Sequence, residues 1–499
     1  MRIALIYTVE NFVTIEEPLI SWTDVPYGIA MIAASLEKEG HEVDTWVFSP
    51  GSDRPALMTQ ILDDFKAESI AFTAVSSQFE FVKTIAKEIK EISPEINMIL
   101  GGHHASLASE DAIACPEIDA ICVGEGDQAA LEYYQILEDG QVPMTVHNFW
   151  IKHDQGIQRN PTRSFDQDLD ELPFIQREHW SKWIQNPNAS AVILLGRGCP
   201  FKCTYCSNHA LKALAKGKYV RIRSIENVML ELRLIYEQST NLKDVYLEIE
   251  TIGAFPKYLL ELCETLRLFN QELTSPIAFG INMTVTSKLV KDEETCRTML
   301  FAMQQANFKF INFGLESGSE RMRQEVLLRP KYSNDELVLF STLAAEYGIE
   351  RNIFVLIGLP QEKVKDFQET KEVTRRCKPT RAYLGIFYPY PGTALYDEAL
   401  RLKLFDPTTI GSKAERSRAY LRLPGFPGWR IYYEYITFNA FVFKGQIPKV
   451  QLTLMTIWFG IKTSPKLHSF AKGVTNKTPF LKKRLNQYRS TKLENDEVS

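Results

Sequence analysis

Three cysteines lie within eight residues of one another in the segment GRGCPFKCTYCSNHAL, residues 196–211. Cys199, Cys203 and Cys206 are separated by three and two residues, whereas the other five cysteines of the chain are isolated. Thiolates are soft ligands that suit iron–sulfur clusters, zinc or copper(I). A structural zinc normally has four protein ligands, and no second cysteine pair is present to complete that shell. We therefore expect a 4Fe-4S cluster with one iron left without a protein ligand; a zinc site completed by His209 is the alternative.

The cysteines follow the first strand of an alternating series of strands and helices. The strands are predicted at AVILLGRG, VYLEIE, IAFGINMTV, FKFINFGLES, RNIFVLIGLP and AYLGIFYPYPG. The patterns between them predict helices near residues 224–238, 256–269, 292–306, 334–347 and 364–376. Six strand–helix units are too few to close an eight-stranded barrel, so residues 188–400 are predicted to form a partial, open (β/α)6 barrel. Active sites of such barrels lie in the loops that follow the strands, which is where the cysteines are.

The first 140 residues show a second alternating pattern. Their apolar runs RIALIYTV, EVDTWVF, SIAFTAVS, INMILGG and DAICVGEG alternate with helical patterns near residues 27–39, 56–66 and 79–91. This order predicts an α/β, doubly wound, flavodoxin-like domain with a parallel sheet. Ligands of such sheets bind at the carboxyl ends of the strands, here AVSSQ, GGHHAS and GEGDQ.

Two further regions complete the predicted organisation. Residues 141–187 are rich in Pro, Asp, Asn and Gln and are predicted to be a connector. Residues 401–499 lack the alternation, accumulate aromatic residues and are predicted to form a mainly helical region that ends in a basic tail. We expect this region to influence substrate choice, and the simplest arrangement is an aromatic cap packed over the barrel.

Composition limits the classes of function. With 499 residues, 45% apolar and 24% charged, the chain is long enough for two or three domains of ordinary globular composition. A net charge of −5 argues against a general nucleic-acid partner. No apolar stretch reaches the length of a membrane span and no signal peptide is evident, so we expect a cytoplasmic protein. In a reducing compartment, clustered cysteines favour metal binding or redox chemistry over disulfides.

The CxxxCxxC motif after the first strand of a six-unit barrel resembles the radical S-adenosylmethionine (SAM) superfamily. In that family the amino and carboxylate groups of SAM occupy the open iron of the cluster, and reduction yields a 5'-deoxyadenosyl radical. The resemblance implies that Cys199, Cys203 and Cys206 are the cluster ligands. It also implies that Tyr205 contacts the adenine; simple packing of this aromatic within the loop is the alternative.

The resemblance also implies SAM contacts at later strand ends. Glu248 and Glu250 share one face of the second strand because side chains alternate with a period of two, and either is expected to hold the SAM amino group. The alternative is a polar edge facing solvent. Further SAM contacts are implied at Asn282, Glu316, Ser317 and Arg329.

A doubly wound domain placed before such a barrel resembles the cobalamin-binding module of one large subclass. No Asp precedes a His by two residues anywhere in the chain, so the axial histidine motif of the mutase type is missing. We therefore expect the cobalt to lack a protein ligand on its lower face and the two histidines of GGHHAS to line the pocket. The implied cobalamin contacts are Ser76, Ser77, Gly101, Gly102, His103, His104, Gly124, Glu125 and Gly126.

Together the two modules imply a cobalamin-dependent radical SAM enzyme, most simply a class B-type methyltransferase that methylates an unactivated carbon. Radical cyclisation or rearrangement, as in the anaerobic porphyrin cyclases, is the enzymatic alternative. A sealed iron–sulfur or zinc-binding module is the non-enzymatic one. The expected partners are a small-molecule or lipid-like substrate and an external electron donor such as flavodoxin or ferredoxin, with no nucleic acid. Contact of the basic tail with a membrane surface is an open alternative that we do not expect.

Overall fold

The computed structural model describes residues 1–10, 14–165, 167–409 and 416–463. The described chain forms two compact units. The first unit comprises Met1–Leu242 and Pro389–Asp397, and the second comprises Lys243–Tyr388, Glu398–Thr409 and the described residues from 416 onward. No helix in the described part of the chain is both long and apolar enough to cross a membrane.

A seven-stranded sheet organises the first unit. Its strands are β1 (Arg2–Thr8), β2 (Glu42–Phe48), β3 (Ser69–Thr73), β4 (Asn97–Gly101), β5 (Ala120–Cys122), β6 (Phe149–His153) and β7 (Gly156–Arg159). The order is β2-β1-β3-β4-β5-β6-β7, and the first five strands are parallel. This is the flavodoxin-like order, whose switch point lies between β1 and β3. The predicted doubly wound fold is confirmed.

Helices cover the faces of this sheet because each presents an apolar stripe to the strands. They are α1 (Tyr27–Lys38), α2 (Arg54–Thr59), α3 (Phe79–Ile92), α4 (Gly102–Leu107), α5 (Ser109–Ala114) and α6 (Asp127–Glu138). In α3, for example, Val82, Ile85 and Ile89 are fully buried in the core on one side of the sheet. The predicted helices near residues 27–39, 56–66 and 79–91 are confirmed.

The structure differs from the sequence prediction between residues 141 and 187. Instead of a plain connector, β6 pairs antiparallel with β5, and β7 pairs antiparallel with β6. A further short helix, α7, covers Glu178–Ser181. The alternation FWIKH was hidden among turn-forming residues, and a two-stranded extension needs only the unpaired edge of β5 as a partner.

The first unit also contains the start of the predicted barrel. Its elements are β8 (Ser190–Leu194), the two-stranded antiparallel ribbon β9 (Gly196–Arg197) and β10 (Arg221–Ile222), and the helices α8 (Ser207–Ala213) and α9 (Ile225–Gln238). The cysteine loop lies between β9 and α8. The first compact unit ends at Leu242 and therefore includes the start of the predicted barrel, and the domain bounds predicted from the sequence stay predictions.

The second unit carries the remaining strand–helix units. Its strands are β11 (Asp244–Glu248), β12 (Ala278–Asn282), β13 (Phe308–Glu316), β14 (Glu350–Ile357) and β15 (Arg381–Ile386), each parallel to the next. Its helices are α10 (Pro256–Glu272), α11 (Ser287–Lys291), α12 (Glu293–Gln305), α13 (Asn334–Glu346) and α14 (Val364–Arg376); α15 (Ala394–Arg401) follows. The five helices predicted from periodicity in the barrel, α9 included, are confirmed.

Local sequence explains where these helices start. The N-terminus of α13 is a capping box, in which Ser333 Oγ accepts from the backbone N–H of Glu336 and Glu336 Oε2 accepts from that of Ser333. Both contacts satisfy N–H groups that the helix itself leaves unpaired. Capping boxes can be recognised in the sequence because their two residues are only three positions apart.

Two helices form the described C-terminal region, α16 (Gly428–Val442) and α17 (Lys449–Thr463). A buried charge cluster fastens α16 to α14. Glu434 is fully buried and accepts from Lys371 Nζ at 2.7 Å, from Gln368 Nε2 at 2.8 Å and from Arg430 Nη2 at 2.6 Å. A buried carboxylate is tolerated when it is paired and hydrogen-bonded in this way. The predicted basic tail lies outside the described residues.

Candidate functional site

A cavity of about 240 Å³ opens at the carboxyl ends of the parallel strands in the first unit. Its walls are largely apolar and include Ile32, Phe72, Ile99, Tyr134 and Phe149. The predicted residues Gly101, Gly102, Gly124, Glu125 and Gly126 also line it. An apolar slot at this edge fits the flat nucleotide base of a cobalamin, and the glycines leave room for a bulky ring at the mouth.

Gly102 is needed where β4 turns into α4. Its φ is +89°, and a Cβ atom added there would lie 2.8 Å from both Ala74 O and Thr73 Oγ1. A larger residue would therefore have to displace the end of β3 as well as adopt a left-handed backbone.

The other predicted cobalamin contacts are not among the residues that line this cavity. His104 is buried with its ring stacked on Phe79 at 4.0 Å, its Nδ1 lies 3.2 Å from Ser76 Oγ and its Nε2 lies 3.3 Å from Asp111 Oδ2. Ser77 is buried and His103 is exposed. His104 and Ser76 thus support the turn after β3, and a direct cobalamin contact by these four residues stays a prediction.

Two arginines that were not predicted join the cavity to the cysteine loop. Arg197 in β9 makes a bidentate ion pair with Asp127, at 2.6 and 3.0 Å. Arg221 in β10 makes a bidentate pair with Glu125. Burial alone would raise the pKa of Asp127, but the charge and hydrogen bonds of Arg197 lower it, so this carboxylate stays ionised.

The cysteine loop starts from this ribbon. Gly198 has a φ of +84°, and an added Cβ atom would lie 2.4 Å from Tyr219 O, so only glycine fits between the ribbon and the first cysteine. Cys199, Cys203 and Cys206 are all partly exposed, and none of the eight cysteines is in a disulfide. Tyr205 is likewise partly buried in the loop.

Side chains behind the loop hold its far end. Asn208 is buried, its Nδ2 donates to Cys206 Sγ at 3.6 Å, and its Oδ1 accepts from Tyr219 OH at 2.6 Å. His209 Nε2 accepts from the backbone N–H of Ala394 at 3.1 Å. His209 is thus used to hold the segment at residue 394, and the structure does not present it as a fourth zinc ligand.

The donor set fits an iron–sulfur cluster. Three thiols in an open loop, one of them already accepting an amide hydrogen bond, are the ligands and the surroundings that such clusters use. Within the ranges described, no three His, Cys, Asp or Glu side chains converge closely enough to hold a single metal ion.

In the second unit, Glu248 stands at the end of β11. Burial, and secondarily the charge of Glu250, raises the pKa of Glu248 from its ordinary value of 4.5 to about 7. A buried carboxyl group with a raised pKa lacks a nearby cation. Glu248 is therefore the better placed of the two predicted glutamates to accept an ammonium group such as that of SAM.

A chain of hydrogen bonds crosses the same sheet from β14 to β12, and we call Tyr246, Asn282, Asn312 and Asn352 the polar row. Asn352 Nδ2 donates to Asn312 Oδ1 at 3.0 Å, and Asn312 Nδ2 donates to Tyr246 Oη at 3.3 Å. Tyr246 OH then donates to Asn282 Oδ1 at 2.6 Å. Only Asn282 was predicted, because the other members become neighbours only through strand register.

Phe354 and Tyr383 stand in register on β14 and β15 with their rings stacked at 4.9 Å. They lie on the same strand faces as Asn352 and Arg381, and both are substantially exposed. Exposed, stacked aromatics on two neighbouring strands of a sheet form a ready binding surface.

The end of β13 carries the remaining predicted residues. Arg329 is buried, donates from Nη2 to Gly314 O at 2.6 Å, and lies 3.4 Å through Nη1 from Glu316 Oε1. Glu316 has a φ of +57°, a strained conformation for a residue with a side chain. Ser317 is fully buried against α14, with its Oγ 3.4 Å from Thr370 Oγ1, so its predicted ribose contact gains no support from this arrangement.

Fold and site together define a two-module α/β enzyme with a cobalamin-type cavity, a three-cysteine loop and a barrel-type sheet. Comparison with known families agrees. The B12 binding domain model matches residues 25–133 and the Radical SAM superfamily model matches residues 193–373.

Individual relatives point the same way. The chain is 24% identical to an uncharacterized methyltransferase of Pyrococcus horikoshii, over 77% of this chain and 80% of that protein. It is 24% identical to the anaerobic magnesium-protoporphyrin IX monomethyl ester cyclase of Rubrivivax gelatinosus, over 76% and 67%. The radical SAM methyltransferase TsrM of Kitasatospora setae, solved with tryptophan and a SAM analogue, shares its fold with a TM-score of 0.67 at 14% identity, over 88% and 89%.

The chain therefore belongs to the radical SAM enzymes that carry a B12 binding domain. The resemblance drawn from the cysteine motif is confirmed, and the cofactors are a 4Fe-4S cluster, SAM and cobalamin.

We predict that filling the apolar cavity blocks cobalamin. Gly28 in α1 lines the cavity, and an added Cβ atom there meets nothing within 4 Å. Gly28→Phe should weaken cobalamin binding at least about tenfold, since overpacking a site costs about 1–3 kcal/mol. Cobalamin retained after anaerobic reconstitution and desalting is measured by absorbance. Ile92→Phe, at an exposed position of α3, is the control. Equal cobalamin retention by both variants would exclude the cavity as the cobalamin-binding site.

We predict that Asn208 tunes the cluster. Asn208→Leu removes the amide donor to Cys206, and Tyr219→Phe removes the hydroxyl that orients it. Each should lower the reduction potential by about 40 mV, which is one hydrogen bond of about 1 kcal/mol for a one-electron couple. The potential is measured by EPR-monitored redox titration of the reconstituted protein. Tyr236→Phe, on α9, is the control; an unchanged potential in both loop variants would contradict the assignment.

We predict a pH-dependent stability difference at Glu248. The folded protein binds this proton more tightly than the unfolded chain, so the wild type loses stability as the pH rises from about 4.5 to about 7. Glu248→Gln has no proton to lose, and its free energy of unfolding relative to wild type should rise by about 3 kcal/mol across that range. Urea unfolding of the cofactor-free proteins measures this. Exposed Glu294→Gln should show no such trend, and a flat Glu248→Gln difference would refute the raised pKa.

Proposed function

We propose that the protein transfers a methyl group to an unactivated carbon of a small or lipid-like molecule. One observation carries the proposal: the first unit couples a cobalamin-type cavity to a three-cysteine loop through the Arg197–Asp127 and Arg221–Glu125 ion pairs. Methyltransferases among the relatives support it. When bound, the cofactors supply reductive SAM cleavage, hydrogen abstraction and the methyl group.

The residues of the chain have positioning roles in this scheme. The three cysteines hold the cluster, Asn208 donates to one of them, and Glu248 accepts the ammonium group of SAM. Glu316 and Arg329 stand at the end of β13, where the family resemblance puts the SAM ribose and carboxylate. Apolar cavity walls keep water from the cobalamin base.

The substrate is proposed to rest on Phe354 and Tyr383. Their stacked, exposed rings offer a flat apolar surface, and the polar row beside them offers amide and hydroxyl groups that fix orientation. Electrons come from an external donor of the flavodoxin or ferredoxin class.

Cyclisation is the second candidate, because a cyclase is among the relatives. The two reactions differ in their products. Methylation consumes a second SAM and gives S-adenosylhomocysteine beside 5'-deoxyadenosine, whereas cyclisation gives no S-adenosylhomocysteine.

We predict label transfer from SAM. The reconstituted protein, supplied with reductant, SAM deuterated in its methyl group and extract of its native cells, should give S-adenosylhomocysteine, 5'-deoxyadenosine and a deuterated product by mass spectrometry. Cys203→Ala should abolish all cluster-dependent products, whereas Cys263→Ala, at a buried cysteine of α10, should keep them. Formation of 5'-deoxyadenosine alone, with no S-adenosylhomocysteine or deuterated product, would favour cyclisation or rearrangement instead.

A further inference from the structure

The outer face of α17 is apolar and uncovered among the described residues. Val450, Leu454, Ile457 and Trp458 are 72, 62, 54 and 44% exposed, whereas Leu452 is buried. Their spacing of four, three and one residues places all four on one side of the helix. We call these four residues the apolar stripe. A helix of a globular protein normally turns such a stripe toward the core. An apolar stripe that is exposed instead indicates an interaction site.

The stripe is held firmly from behind. The neighbouring helix α16 is fastened to α14 by the fully buried Glu434, which accepts hydrogen bonds from Gln368 and Lys371 of α14. Phe438 of α16 also packs beside Phe367 of α14, with ring centroids 6.2 Å apart. Two further aromatics of α16, Trp429 and Tyr433, are 69 and 53% exposed. The C-terminal helices therefore present aromatic and aliphatic side chains outward from a fixed base.

The charge of the surrounding sequence identifies the partner. Residues 444–493 contain eleven lysines and arginines and no aspartate or glutamate, although the whole chain has a net charge of −5. Lys444 and Lys449, the two of these residues that directly precede the stripe, are both exposed. The stripe is thus embedded in a strongly cationic stretch of an otherwise anionic protein.

We propose that α17 and the basic residues around it dock the protein on an anionic membrane surface. A helix with an apolar stripe, a tryptophan and flanking lysines lies in the plane of the bilayer interface, with the stripe among the lipid chains. Each lysine or arginine near an anionic surface strengthens binding about fivefold. A nucleic acid would bind the basic residues but not the apolar stripe. An anionic bilayer binds both, because its headgroups attract the lysines and arginines and its lipid chains accept the stripe. This docking does not depend on the reaction.

The test is flotation of the full-length protein, without added cofactors, on vesicles of phosphatidylcholine alone or of phosphatidylcholine and phosphatidylglycerol in equal parts. Wild type should float with the anionic vesicles only, and raised salt should release it. Leu454→Gln combined with Ile457→Gln should bind more than about tenfold more weakly, because two apolar side chains no longer favour insertion. Gln451→Ala combined with Thr453→Ala, at exposed polar positions of α17, should bind like wild type.

A second set of variants tests the contribution of the basic residues separately from that of the apolar stripe. Lys482→Gln, Lys483→Gln and Arg484→Gln together should weaken binding about a hundredfold, at about fivefold per charge. Equal binding to neutral vesicles, or flotation of the stripe variant like wild type, would overturn the proposal. Failure of the wild type to float with anionic vesicles would also overturn the proposal. That result is expected if residues 464–499 or a protein partner covers the stripe. Circular dichroism melting of each variant ensures that the comparison is between folded proteins.

Discussion

Two arginine–carboxylate pairs, each with one buried member, hold the first unit in its working arrangement. Arg197 and Arg221 lie on the ribbon that flanks the cysteine loop, and their partners Asp127 and Glu125 line the apolar cavity at the end of β5. Removing Arg197 would leave the buried carboxylate of Asp127 unpaired, which costs about 3–5 kcal/mol. The ion pairs therefore fix the distance between the cysteine loop and the cobalamin cavity. A reaction that uses two cofactors requires a fixed distance between their sites.

The second unit differs, because the strands of its sheet carry polar side chains that need hydrogen-bond partners. The polar row satisfies most of its hydrogen-bonding groups internally, in a single direction from Asn352 to Asn282. Glu248 differs, since burial raises its pKa to about 7 and no cation within the described residues lowers it. An uncompensated carboxyl group beside a satisfied network is where a cationic ligand gains the most.

Much of this protein was predictable from local patterns. The strands and helices of both α/β regions follow from periodicities of two and 3.6 residues, and the helix starts from caps such as Ser333. The β6–β7 hairpin was missed because its strands are short and lie among turn-forming residues. The predicted cofactor contacts of His104 and Ser317 stay predictions. Both side chains are buried with partners that no motif reports, Ser76 for His104 and Thr370 for Ser317.

The sequence by itself determined the class of chemistry, because the spacing of Cys199, Cys203 and Cys206 and the order of strands and helices are properties of neighbouring residues. Only the tertiary structure decided which charges meet, which amides align across strands and which apolar stripe the described residues leave uncovered on α17. Arg197 and Asp127 are seventy residues apart along the chain, and nothing local selects one for the other. Their pairing depends on the fold bringing distant strand ends to one edge, and that requires the whole chain.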